Sequence, residues 1–291
     1  MMSIVPRRRT LRFTRRLTGV TSFCALASAT VARAHDFRII LQVFAFALNA
    51  TMVVYGRQGG GQFPSGTAVP VERVVDAQNI GATATTTITD MVIEGTSLGL
   101  QLKPTTPGQY LAVVGLAPRV NRQTPAGVLR FLRAEGGVAE AERLERQQTF
   151  AGLDSVIFTA ASYAATVAQV GSDGPRTFGQ TGGLRLAFIP LSDPDHLRGG
   201  DTLQVKPVGN GQPLPGHGLE VAAGLDSTAA PNASDTRVTY ITDQYGVAHV
   251  PLQTAGPVLM RSASASPQVG GAKTEWDVSR TTYMFAFGDR H

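Results

Sequence analysis

The sequence is most informative in four blocks: LRLAFIPLSDP (184–194), GGDTLQVKPVGNGQPLPGHGLEVAA (199–223), RVTYITDQYGVAHVPLQTAGPVLMRSAS (237–264) and TEWDVSRTTYMFAF (274–287). Each block alternates apolar and polar residues, and turn residues separate the blocks at short intervals. This pattern is typical of an antiparallel β-sandwich. In the strand predicted at 247–252, Ala248, Val250 and Leu252 fall on one face, and His249 falls on the other.

The first 34 residues predict a secretory signal peptide. They contain seven arginines and no acidic residue, and a mildly apolar run from Leu17 to Val31 precedes the small residues Ala32 and Ala34. That run is shorter than the roughly 20 residues that a membrane-spanning helix needs. We therefore expect cleavage after Ala34 and a periplasmic protein with no membrane span after cleavage.

The basic charge of the whole chain comes from this leader. Without its seven arginines, 19 basic residues remain against 21 acidic residues, a net charge of about −2. Such a balance gives no indication of nucleic-acid binding, which requires a basic face. The single cysteine, Cys24, also lies in the leader, so thiolate catalysis, disulfides and cysteine metal sites are excluded after cleavage.

The rest of the chain is predicted to be mainly β, with two β-sandwich units of immunoglobulin-like or prealbumin-like kind. The first unit covers residues 35–183 and the second covers residues 184–291. In the first unit the pattern predicts one or two buried strands within 39–55 and further strands at 69–75, 83–93, 98–102, 109–116 and 157–170. No later segment is long and apolar enough to span a membrane.

A small helical insertion is predicted at about 124–148. Thr124 is a suitable N-cap and Pro125 suits the first helical position, while Leu129, Leu132 and later apolar residues recur at helical spacing. Gly136 and the glycine that follows it are expected to divide the segment into two short helices.

Taken in order, these motifs resemble a known family. The start at His35-Asp36-Phe37, the helical middle with Phe131-Leu132, the phrase PLSDPDHLRGGDTLQV, the GQPLPG turn, TDQYGVAHVPL, TAGPVLMR and TEWDVSRTTYMFAF occur in that order. Together they look like the bacterial periplasmic domain-of-unknown-function family associated with cobalt and nickel uptake systems. The resemblance implies an accessory protein that binds a transition-metal ion or its chelate and delivers it to a membrane transporter.

Two positions depart from the family pattern. Family members usually have a tryptophan after His-Asp-Phe, where this chain has Arg38, and many have a histidine where this chain has Ser264. The second difference removes a plausible metal ligand. It favours, as the alternative function, a non-catalytic interaction module of the cell envelope that needs no metal and works with a surface receptor or envelope complex.

The residues themselves suggest one metal site. Cleavage after Ala34 makes His35 the first residue, and its amine and imidazole can chelate one ion together. Nitrogen ligands of this kind suit nickel and cobalt, with copper and zinc also open, and Asp36 can add a carboxylate oxygen. His249 is a weaker candidate to complete the shell.

The remaining histidines are better explained without a metal. His217 lies between two glycines after a turn, and His291 ends the chain. His196 lies in a loop with Asp193, Asp195 and Asp201, where the carboxylates suit a hard cation but the neighbouring proline and glycines favour a turn.

Catalysis is the least supported function. The string Gly95-Thr96-Ser97-Leu98-Gly99 matches the G-x-S-x-G pattern of serine hydrolases, which requires a helix after the serine. Here Leu100 to Leu102 alternates as a strand does, so we expect Ser97 to belong to a β-turn. The protein is therefore predicted not to be an enzyme.

Overall fold

The computed structural model describes residues 36–59, 66–223, 225 and 237–288. Before the helices lie strands β1 to β9, which are Asp36–Ile40, Ala45–Phe46, Met52–Gly59, Thr67–Ala68, Val74–Ile80, Thr85–Thr87, Met91–Glu94, Ser97–Leu102 and Gly108–Gln123. The helices are α1 (Pro125–Ala134) and α2 (Val138–Arg146). After them come strands β10 to β18, which are Val156–Val170, Leu186–Pro190, Thr202–Gly209, Gln212–Pro213, Gly218–Ala223, Val238–Ile241, Ala248–Pro251, Gly256–Pro267 and Glu275–Phe287.

Within the described residues these strands form three sheets. The central sheet has the order β15-β14-β17-β18-β10-β9-β5-β6, with β2 beside β10. The first outer sheet has the order β1-β3-β8-β7, with β4 beside β3. The second outer sheet has the order β11-β12-β13, with β16 beside β12.

The central sheet is covered on both faces. In β9, Tyr110, Ala112 and Val114 pack into the core with the first outer sheet, whereas Leu111 and Val113 pack into the core with the second. Successive side chains of a strand point to opposite faces of its sheet. A strand such as β9, whose consecutive residues are all apolar here, is therefore buried on both faces. The predicted mainly β, sandwich-type fold is confirmed.

The two predicted units share this central sheet. Strand β10 comes from the first unit and β18 from the second, and they pair in parallel from Ile157↔Glu275 to Thr166↔Met284. The described residues all belong to one compact unit. The boundary expected between residues 183 and 184 therefore falls between β10, a strand of the central sheet, and β11, a strand of the outer sheet that covers it.

The helical insertion is confirmed. The hydroxyl of Thr124 accepts a hydrogen bond from the N–H of Gly127 at 3.2 Å, and Pro125 is the first residue of α1. Gly136 follows with φ +83°, and a Cβ there would lie 2.8 Å from Cγ of Arg261. Glycine is thus required both by the turn between the helices and by its close approach to β17.

Two predicted strands are partly wrong, and one predicted face is confirmed. The strand predicted at 83–93 is divided into β6 and β7, which belong to different sheets. Residues 71–73 form a short 3-10 turn after Pro70, whose φ of −58° suits a turn, and the strand begins only at Val74. In β16, by contrast, Ala248 and Val250 are buried and His249 is exposed, as the alternation predicts.

Candidate functional site

The residues predicted to hold a metal are not brought together in the described part of the chain. His35 lies outside the described residues. Asp36 is only 5% exposed, and its Oδ2 accepts a hydrogen bond from Nη1 of Arg261 at 2.6 Å. The His249 side chain is 55% exposed on β16, in the second outer sheet, with Nε2 3.9 Å from Oδ2 of Asp243.

The described residues contain no group of three or more His, Cys, Asp or Glu side chains that could hold a metal ion. Asp36 and His249 belong to different outer sheets, on opposite faces of the central one. The metal site stays a prediction that depends on His35.

Two other histidines have structural partners. Nε2 of His217 lies 2.7 Å from Oγ of Ser262, whose hydroxyl donates to the carbonyl of Gly218 at 2.8 Å. The imidazole therefore donates to the serine, and burial lowers the pKa of His217. His196 is exposed, with Nδ1 3.1 Å from Oδ2 of Asp193. His291 lies outside the described residues.

Ser97 is the first residue of β8, so a strand follows it, as predicted, and not the helix of a hydrolase elbow. Its side chain is buried, and Oγ accepts a hydrogen bond from Nε of Arg57 at 2.7 Å.

A buried ionic network joins β1, the turn after α1, and strands β14, β17 and β18. Arg261 binds Asp36 on one side and Glu220 on the other, with Nε 2.8 Å from Oε2 of Glu220. Arg280 pairs with Glu135 and donates from Nε to Oγ of Ser162 at 2.7 Å.

This network holds three carboxylates against two guanidinium groups. Burial is the main cause that raises the pKa of Glu135; the Arg280 guanidinium opposes it and the neighbouring Asp36 carboxylate adds to it, and the pKa is raised to about 8. These surroundings favour the protonated form of Glu135 more than the ordinary carboxyl pKa of 4.5 would. The network fixes the start of β1 and the helical turn against the central sheet, and its carboxylates and Arg261 are buried.

A second polar network lies at the other end of β10 and was not predicted as a unit. Nε of Arg176 lies 3.0 Å from Asp193, and Nη1 lies 3.2 Å from Asp195. The buried amide of Gln109 donates to both carboxylates at 3.2 and 3.1 Å, and its oxygen accepts from the N–H of Phe178 at 2.8 Å. Two of the three carboxylates considered for a hard cation are thus bound to an arginine and an amide.

Beside this network the central sheet opens. Strand β9 pairs with one edge of β10 along its whole length, from Val156 to Val170. Consequently β18 and β2 must share the other edge: β18 pairs with β10 as far as Thr166, and β2 pairs with it from Gln169. Between these points β18 leaves β10.

An apolar cleft of about 370 Å³ lies where β18 and β10 separate. Its walls include Phe44, Val167, Pro257 and Phe287, and Val43, which is 54% exposed, lies at its margin. A polar cleft of about 320 Å³ adjoins it, and the two have Asp195 and Gly288 in common.

The polar cleft is lined by Ser172, Asp173, Arg176, Asp195, His196 and Arg198. The sequence indicated His196 and its neighbouring aspartates as candidate ligands, but no sequence pattern predicted a role for Gln109, Arg176 or the apolar walls. These residues come from separate parts of the chain, and only the pairing of the strands brings them together.

The profile of one protein family, described as a domain of unknown function (DUF4198), matches residues 32–265. The chain belongs to this family. No curated protein matches the chain in sequence.

The solved structures that are similar to this chain have low sequence identity and low TM-scores. A mutant of Salmonella alpha-2-macroglobulin is 12% identical with a TM-score of 0.23, over 86% of this chain and 15% of that one. Escherichia coli alpha-2-macroglobulin activated by porcine elastase is 14% identical with a TM-score of 0.23, over 87% and 20%. The Yersinia pseudotuberculosis adhesin InvE is 12% identical with a TM-score of 0.21, over 86% and 58%. The chain thus spans a small part of the macroglobulins, and such scores do not define a shared fold.

Among the described residues, no helix is long and apolar enough to cross a membrane.

Proposed function

We propose that the protein is a non-catalytic binding module of the bacterial cell envelope, exported by its leader, and that the apolar cleft is its binding site. The single observation that carries this proposal is the opening of the central sheet where β18 leaves β10. The cleft has the size and the mostly apolar lining of ligand sites in proteins, and Gln42 and Asp195 are the polar side chains among its described lining residues.

Other described features of the chain support binding more than chemistry. Ser97 and His217, which are residue types used in catalysis, are buried and hydrogen-bonded to Arg57 and Ser262. The polar network beside the cleft positions Asp195 through Arg176 and Gln109, so the cleft has a preorganised wall.

The experiment uses the processed protein and the dye anilinonaphthalene sulfonate, which becomes fluorescent in apolar sites. We expect saturable binding that Val43→Glu weakens about tenfold. Contact with the apolar rings of the dye would desolvate the new carboxylate at the cleft, and the carboxylate repels the sulfonate. The matched control is Val120→Glu, an exposed valine of β9 that is not among the residues lining the cleft. Equal binding by both variants, or none by the unaltered protein, would overturn the proposal.

Metal delivery is the second candidate, favoured by His35, which becomes the terminal residue if the leader is cleaved after Ala34. The ligand would be a nickel or cobalt ion, and the partner a membrane transporter. The described residues do not complete its ligand set, because Asp36 is bound to Arg261.

This candidate is tested by titrating nickel into protein that begins at His35 and into protein with one alanine added before it. The added residue keeps every side chain but moves the amine away from the imidazole. Tight binding that the alanine abolishes would support metal delivery, whereas equal or absent binding in both proteins would contradict it.

A further inference from the structure

The direction of the main-chain groups at the cleft identifies the kind of ligand it takes. The N–H of Ile157 donates to the carbonyl of Thr274 at 2.8 Å, so Thr274 directs its carbonyl toward β10. Main-chain groups along a strand alternate between its two neighbours, and the register of β18 with both neighbours shows no shift. Ala286, an even number of residues later, therefore directs its N–H and C=O toward the side that β10 has left.

The ladder stops one hydrogen bond short at this point. The last pair, Thr166↔Met284, places the N–H of Val167 near the carbonyl of Met284. The next pair would join the N–H of Ala286 to the carbonyl of Val167, and it is not formed. Both residues line the cleft, and Val167 is buried.

The two ends of this gap are closed by other segments. The N–H of Gly288 donates to the carbonyl of Leu197 at 3.2 Å, which sets the limit of the gap beyond Ala286. On β10, Gln169 donates to the carbonyl of Phe44, so β2 begins the second ladder there. The space between is bordered by a main-chain donor on one wall and a main-chain acceptor on the other.

An extended peptide matches this arrangement, because each of its residues offers one N–H and one C=O at the spacing of a strand. Its apolar side chains would meet Phe44 and Phe287. At the polar end, three carboxylates (Asp173, Asp193 and Asp195) face two arginines (Arg176 and Arg198). Among these side chains the carboxylates outnumber the guanidinium groups, which complements a basic residue of the ligand.

We infer that the cleft takes a short extended segment of a partner protein, with apolar side chains and a basic residue, which inserts as a strand between β10 and the end of β18. This inference rests on the proposed function and names its ligand. The inserted segment would accept a hydrogen bond from the N–H of Ala286 and donate one to the carbonyl of Val167.

The test uses the fluorescein-labelled peptide Lys-Val-Thr-Val-Thr-amide and the processed protein, with binding followed by fluorescence anisotropy. A second peptide carries N-methyl groups on both valines, which removes two donors and leaves the side chains unchanged. We expect the N-methylated peptide to bind about tenfold more weakly, as the loss of main-chain hydrogen bonds requires. Replacing its lysine by glutamate should also weaken binding, about threefold.

A protein variant provides the converse test. Ala286→Pro removes the N–H that faces the cleft and keeps the alternate residues that pair with β17, whereas the matched control Ala286→Ser keeps the donor. We expect only the proline variant to lose about tenfold in peptide affinity. The peptide comparison remains decisive if the proline variant does not fold.

The possible failures are distinguishable. Equal affinity for the parent and N-methylated peptides would overturn strand insertion. Dye binding at the cleft without any peptide binding would also overturn it, while leaving the proposed binding site intact. If neither dye nor peptide binds, both proposals fail.

Discussion

Two networks of carboxylates and arginines lie along β10, and they differ in their access to water. The network around Arg261 is enclosed by β1, the helical turn and the central sheet, and Arg261 and the three carboxylates are buried. In the second network, the Arg176 side chain is 29% exposed and lines an open cleft. A closed network must balance its charge internally, by holding a proton on Glu135, whereas an open one can accept a charged partner from solution.

The largest effect is expected from Arg261→Met. This change leaves Asp36 and Glu220 buried without their counter-charge, and breaking such a pair costs about 3–5 kcal/mol of unfolding free energy. Urea denaturation measures the change. The matched control is Arg133→Met, whose partner Glu145 is exposed and whose loss should cost less than about 1 kcal/mol. Equal costs would show that burial does not distinguish the two pairs.

Glu135→Gln should change how stability depends on pH. The pKa of Glu135 is raised from 4.5 to about 8, so between these values the folded protein holds a proton that the unfolded chain releases. This contribution is fully present below pH 4.5 and is lost as pH rises toward 8, by at most about 1.4 kcal/mol per pH unit.

Comparing the unfolding free energy of the two proteins between pH 5 and pH 8 tests this prediction. The glutamine variant cannot ionise at this position, so its stability should fall less over the range. Parallel curves for both proteins would mean that Glu135 does not hold the proton of the closed network.

The smallest effect is expected from Arg176→Met. Water reaches this network, so Asp193 and Asp195 can be solvated when the guanidinium is removed, and we expect a cost of about 1–2 kcal/mol in urea denaturation. The same change should alter peptide binding at the cleft, whereas Arg261→Met should not. A cost as large as that of Arg261→Met would show that the two networks do not differ in kind.

Local patterns in the sequence were sufficient for much of the secondary structure. The strands β10 and β16, the capped helix at Thr124 and the strand after Ser97 all follow from the spacing of apolar residues, turn residues and caps. Even the burial of Ala248 and the exposure of His249 follow from alternation. The 3-10 turn at 71–73 was not predicted, because the apolar pattern of 69–75 favours a strand although it contains Pro70.

The candidate site was much less predictable. His35 and Asp36 suggested a ligand pair because they are adjacent and chelating, but the partner of Asp36 is Arg261, which is 225 positions away. Likewise, Gln109 and Asp195 meet across 86 positions. No short-range pattern records such pairings.

By itself, the sequence determined that this protein is mainly β, where its helices begin and divide, and which faces of several strands are buried, because these depend on spacing along the chain. Only the tertiary structure decided that β10 pairs in parallel with β18, that Asp36 is used inside the fold, and that a cleft opens beside Val167. Those features depend on which distant strands become neighbours, and that choice is made by the packing of the whole core.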